Sequence, residues 1–182
     1  MKKRINEIAI IGISVILISI SSWIEIPLII PFTLQNLMVF LLIGVFGFRI
    51  SLFSIIVYLI IGIIGVPVFS GFQGGLAGLL NYTGGFLVSF IFIPIIFKIF
   101  GNILKNEKTN YIVSTAFSLL FMYIIGAIWF YIVYINNNDS VSFIYSLTFS
   151  VIPFIIPDIL KAVIAYYLIK KMKIIIKNEA IN

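Results

Sequence analysis

A chain of 182 residues that is 62% hydrophobic and only 10% charged lacks the polar surface a globule needs in water. At ~20 apolar residues per crossing of a ~30 Å hydrocarbon core, this content amounts to five or six membrane spans. The absence of Cys and His excludes thiolate nucleophiles, imidazole bases, disulfides and Cys or His metal sites, and the absence of a Gly-x-x-x-x-Gly-Lys-Ser/Thr stretch leaves any ATP-driven step to a partner.

The first apolar run, residues 8–23, follows Lys2, Lys3 and Arg4. No small-residue cleavage site comes after it, so it reads as a retained helix rather than a signal peptide. Within it Ala9, Gly12, Ser19 and Ser22 form a stripe of small residues on one side, suited to close helix contact inside the bundle or between subunits. Residues 25–32, with Pro27 and Pro31, form a proline-interrupted connection. Runs 33–47 and 50–64 meet at a Gly47-Phe48-Arg49 corner. Residues 65–85 are glycine-rich and carry no charge, too apolar for a solvated loop. They are expected to fold back over the bundle, where protein or a water-filled cavity satisfies their backbone. A fourth run at 86–100 precedes a polar segment at 102–110, a fifth run covers 111–135, and a polar patch occupies 136–142. The sixth run is 151–169, with 142–150 a loop or a short interfacial helix. The expected fold class is an all-α integral membrane protein, one domain over 1–182. It is a six-transmembrane-helix bundle with an outward glycine-rich loop between helices three and four.

The net charge of +6 and a pI near 9.6 would suit nucleic acid, but the positions of the basic residues argue for membrane orientation instead. With six spans, Lys2, Lys3, Arg4, Arg49, Lys98, Lys105, Lys108, Lys170, Lys171, Lys173 and Lys177 all fall on one side. The alternate connections carry only Glu25 and Asp139. The positive-inside rule then places both termini in the cytoplasm and the glycine-rich loop outside.

Lys161 is the exception. It lies nine residues before Lys170, ~14 Å along a helix, near mid-depth, with Asp158 about a turn closer to the outside. Two ionised groups at that depth cost ~5–7 kcal/mol before compensation, which excludes lipid exposure. Their spacing of three puts them on one helix face, and Ala162 and Ala165 leave room beside them. Two readings stand: an ion pair that fixes the packing of helix six, or a polar anchor for a substrate entering from outside. Thr33, Gln35 and Asn36 at the start of span two, and Gln73, Asn81, Tyr82 and Thr83 before span four, suit hydrogen bonding to an uncharged polar head group. Trp23, Phe32, Phe69, Phe72, Tyr82 and Phe86 are candidate walls of an apolar cavity, against the alternative that aromatics collect at membrane interfaces or pack against lipid.

Four segments in order resemble the BioY family of biotin transporters. Pro31-Phe32-Thr33-Leu34-Gln35 is similar to that family's Pro-x-Thr-x-Gln, and Gly62-Ile63-Ile64-Gly65-Val66-Pro67-Val68-Phe69 to its Gly-x-x-Gly-Leu-Pro-Val-Phe. Thr83-Gly84-Gly85-Phe86 resembles Pro-Thr-Gly-Gly-Tyr, and Pro157-Asp158-Ile159-Leu160-Lys161 its Asp-x-x-Lys. The resemblance implies a substrate-binding S component of an energy-coupling factor transporter, not an enzyme. Such a component sits in the cell membrane, takes up biotin from outside, and works with a transmembrane coupling subunit and two cytoplasmic ATPase subunits. No cofactor and no nucleic acid are implied. Carried over by position, Asp158 and Lys161 would bind biotin and the glycine-rich stretch would act as a lid; Asn81, Tyr82, Gln35, Thr33 and Phe86, from the polar and aromatic candidates above, are expected as further contacts. Asp158 would accept a ureido N–H; Lys161 would donate to the ureido carbonyl or pair with the carboxylate. The chain departs from the pattern at Asn81-Tyr82, where the family often has Gly-Pro. It also departs after Ala9, where Ile13 stands in place of the second Ala of a docking Ala-x-x-x-Ala. The alternatives are an S component or small carrier for a different vitamin or small molecule and, from another class, an intramembrane enzyme or assembly protein.

Overall fold

The computed structural model describes residues 2–137 and 142–179 and is helical except in the outer connections. Helix α1 (Lys2–Trp23) buries Val15 and Ile18 against the bundle while Ile13, Ile16 and Ile20 stay on its outer face, as a helix bordered by lipid requires. The small-residue stripe divides: Ser19 and Ser22 are buried, whereas Ala9 and Gly12 are exposed. The proline-interrupted connection closes into a two-stranded antiparallel ribbon, β1 (Glu25–Ile26) with β2 (Phe32–Thr33), pairing Glu25 with Thr33.

Helix α2 (Gln35–Ile64) is broken at Gly47, whose φ of 74° and ψ of −173° lie in a region open essentially to glycine. The break reverses the chain. Gln35 Nε2 donates to Tyr58 Oη at 2.6 Å, yet 23 residues of straight helix would hold them ~35 Å apart. The arms 35–46 and 48–64 therefore run back along each other, as the expected corner requires. Among the described residues, five helical stretches are long and apolar enough to cross a membrane, namely Arg4–Trp23, Gln35–Ile64, Gly84–Ile103, Glu107–Asn136 and Phe143–Ile176. The folded-back α2 accounts for the difference from six.

The glycine-rich connection holds a 3-10 turn (Ser70–Phe72) and the short helix α3 (Gly75–Leu79). The fourth run, expected as one helix over 86–100, is two: α4 (Gly84–Ser89) and α5 (Phe92–Ile103). Pro94 explains the break, since it has no N–H to return to the Phe90 carbonyl, and Ile93 N bonds that carbonyl instead at 3.2 Å. Helix α6 (Glu107–Asn137) follows. Of the two possibilities for 142–150, the structure takes the helix: α7 (Phe143–Ser150), whose first turn is capped by Ser142 Oγ accepting from Tyr145 N. Helix α8 (Ile152–Glu179) carries Pro157 within its length and runs beyond the expected 151–169. Asp139, expected in an outer connection, lies outside the described residues.

Helix α2 is central, packing on α1, α5 and α8, while α6 packs on α4 and α5. Ile18, Phe40, Tyr58, Phe69 and Ile93 fill the core. Basic residues gather at one end, where Arg49 faces Glu7, Lys173 meets Glu107, and Lys98 lies over Phe48.

Candidate functional site: a buried ion pair under the glycine-rich connection

At the opposite end of the bundle, α8 brings Asp158 and Lys161 inward. Lys161 Nζ donates to Asp158 Oδ1 at 2.8 Å, and the two side chains are 6% and 2% exposed. Tyr123 of α6 donates to the other carboxylate oxygen, Oδ2, at 2.9 Å. The Lys161 ammonium also sits 3.9 Å from the centre of the Phe32 ring on β2. A carboxylate with both oxygens engaged, beside an ammonium on an aromatic face, is how two charges are tolerated at this depth. Of the three ammonium donors, only the one to Asp158 has a hydrogen-bond partner among the described residues.

A cavity of about 50 Å³ adjoins this cluster. Thr33, Gln35, Phe86, Asp158 and Lys161 all line it, together with Asn36 and Thr83 from the neutral polar set and Ser70, which the sequence did not single out. Its volume holds a few waters and falls well below the ~300 Å³ at which small-molecule pockets begin. Ribbon β1–β2 supplies Phe32 and Thr33, and the amide of Gln35 opens α2 with its N–H 3.4 Å from Thr33 Oγ1. Thr33 Oγ1 also contacts Gln35 Oε1 at 3.2 Å, and beyond Tyr58 the chain of contacts reaches the Val68 carbonyl at 3.1 Å.

Two of the expected contacts stand outside the cavity. Asn81 Nδ2 donates to Gln73 Oε1 at 3.3 Å, and the Asn81 carbonyl accepts from Trp129 Nε1 at 3.0 Å. Tyr82 packs its ring against Phe130 and Tyr134. Both fasten the end of the glycine-rich connection to α6. The same connection is held at its start, where the Val68 carbonyl accepts from Ser22 Oγ at 2.6 Å and the Pro67 carbonyl from Trp23 Nε1 at 3.0 Å. Three of its carbonyls are thus held by side chains of α1 and α6. Phe69, a candidate cavity wall, is instead a core anchor: its ring lies edge-on to Tyr58 and occupies the space a Cβ on Gly62 would need. Trp23 and Phe72 stack on each other, away from the cavity. The Thr83-Gly84-Gly85-Phe86 segment has a packing reason too, since Gly85 lets α4 close on Trp129.

Tyr123 is the residue that sequence reasoning missed. It is one aromatic among many in the fifth run, 35 positions from Asp158, and only the packing of α6 on α8 singles it out.

The family model described as the BioY family matches residues 1–178. This chain belongs to the BioY family. The probable biotin transporter BioY of Pyrococcus horikoshii is 34% identical over 171 residues, covering 93% of this chain and 98% of that one. The biotin transporter BioY of Thermotoga maritima is 33% identical over 165 residues, 89% of this chain and 92% of its own. Among solved structures, the crystal structure of the S-component for biotin from an ECF-type ABC transporter superposes with a TM-score of 0.79. It is 23% identical and covers 94% of this chain and 93% of that chain, so BioY membership and an S-component fold agree.

Proposed function

We propose that this protein is the biotin-binding S component of an energy-coupling factor transporter, capturing biotin from outside and delivering it through an ATP-driven complex. The observation that carries the reading is the Asp158–Lys161–Tyr123 cluster, buried beneath the glycine-rich connection in a BioY-family chain. Its chemistry suits the ureido head of biotin better than the carboxylate tail. A contacting Asp and Lys cancel each other's charge but offer an acceptor and a donor side by side, which matches adjacent ureido N–H and C=O groups. On this reading Asp158 accepts the N–H, Lys161 donates to the carbonyl, and Thr33, Gln35 and Phe86 complete the wall. Asn36, Ser70 and Thr83 offer neutral partners to the tail.

A ligand of biotin's size requires the cavity to widen. Residues 65–83 act as the lid, which parts by releasing its hydrogen bonds to Ser22, Trp23 and Trp129; Asn81 and Tyr82 join the site as that lid reseats. Six crossings, with α2 counted twice, put both termini in the cytoplasm and the cavity outside, an orientation supported by the basic cluster at the far end. The partners are the transmembrane coupling subunit and the cytoplasmic ATPase subunits, in the cell membrane.

Equilibrium binding of a vitamin panel to the purified protein tests substrate identity. Biotin alone is expected to bind tightly, and tight binding of another vitamin with none of biotin overturns the assignment. Because the chain has no Cys, single cysteines at Ser70 and Lys105 report orientation. An impermeant thiol reagent applied to whole cells is expected to label the first only, and labelling of the second instead reverses the topology.

A further inference from the structure

A second, larger cavity lies at the basic end, about 460 Å³, between the Gly47 break of α2, α5, α6 and α8. Lys98, Lys170 and Lys173 line it, and the sole carboxylate in its wall, Glu107, is held by Lys173 at 3.1 Å. The other two ammonium groups have no carboxylate among the described residues. Lys98 lies 4.3 Å from the Phe48 ring centre and Lys170 4.9 Å from that of Tyr166. Positive charge therefore exceeds negative in this crevice. Its walls are also aromatic, so it is suited to an anion attached to an apolar body.

The crevice does not end at Tyr111 and Tyr166. Those two rings, 5.0 Å apart, also form the head of an apolar groove of about 340 Å³ running between α6 and α8, walled by Ala116, Leu119, Ile159 and Val163. Such a groove faces hydrocarbon in a membrane protein, where an alkyl chain is its natural filling. We propose that the two cavities form one site for an acidic phospholipid, with the phosphodiester between Lys98 and Lys170 and an acyl chain lying along α6 and α8. The proposal rests on the orientation given above, which puts this end at the cytoplasmic leaflet, where acidic lipids attract basic side chains.

Native mass spectrometry of the full chain in micelles doped equally with phosphatidylglycerol and phosphatidylcholine tests it. One phosphatidylglycerol is expected to be retained in preference. At about fivefold per lysine, Lys98→Gln with Lys170→Gln weakens that retention by about 25-fold and leaves phosphatidylcholine unchanged. Ala116→Trp, which fills the groove, weakens phosphatidylglycerol as well. Inorganic phosphate does not displace the lipid. Equal retention of both lipids, unchanged retention in the double lysine variant, or displacement by phosphate overturns the proposal. Biotin affinity measured on the same samples reads the vitamin assignment separately: the double lysine variant leaves it intact, because Lys98 and Lys170 lie at the other end of the bundle.

Discussion

Replacing Lys161 by Met removes the positive half of a pair whose side chains are 6% and 2% exposed, and leaves the Asp158 carboxylate with the Tyr123 hydroxyl alone. An uncompensated buried charge costs about 3–5 kcal/mol, so Lys161→Met is expected to lower stability by that order. The companion variant Asp158→Asn/Lys161→Met buries no charge and keeps a partner for Tyr123, and is expected to regain most of the loss. Binding behaves differently. A hydrogen bond to a charged group contributes about 1.5–3 kcal/mol, so losing one weakens biotin about 10- to 150-fold, and the double variant loses two. Thermal unfolding and calorimetric titration of biotin, run on both purified variants, separate the two effects. A double variant that binds biotin with parental affinity would refute the site. A double variant no more stable than Lys161→Met would refute the account of the pair as a compensated charge.

Tyr123→Phe keeps the ring and removes the donor to Asp158 Oδ2. It is expected to weaken biotin by about tenfold or more in the same titration and to lower stability by about 1.5–3 kcal/mol, since the lost hydrogen bond goes to a charged acceptor. Ser22→Ala with Tyr58→Phe strips the Val68 carbonyl of both hydroxyl donors, at about 1–3 kcal/mol. Hydrogen exchange across residues 65–83 is expected to accelerate, and unchanged protection would show that the glycine-rich connection is not held there. Gly47→Ala forces a Cβ onto a backbone at φ 74° and ψ −173° and is expected to cost about 1–3 kcal/mol in thermal stability.

The sequence carried the fold where backbone chemistry is local and the candidate site where a residue was costly to place. Gly47 marked the reversal of α2, and Pro27 with Pro31 excluded helix between α1 and α2. The expense of burying Asp158 and Lys161 pointed to the cavity before any geometry. What escaped depends on long-range packing. Tyr123 and Tyr58 look like ordinary lipid-zone aromatics until helices 35 and 23 positions away bring Asp158 and Gln35 against their hydroxyls. Likewise Phe69 passed for a cavity wall because its neighbour across the bundle, the bare face of Gly62, is recognisable only once the connection folds back.

The contacts from Thr33 to Val68 also have a fixed sense. A backbone carbonyl only accepts, so Tyr58 must spend its one proton on Val68 and receive from the Gln35 N–H. That orients the Gln35 amide with its oxygen toward Thr33, and the Thr33 hydroxyl proton is spent on it in turn. The far carbonyl therefore decides the polarity of the cavity rim. Toward the cavity Thr33 can offer only an acceptor, so a ligand group placed against it would have to be an N–H or O–H.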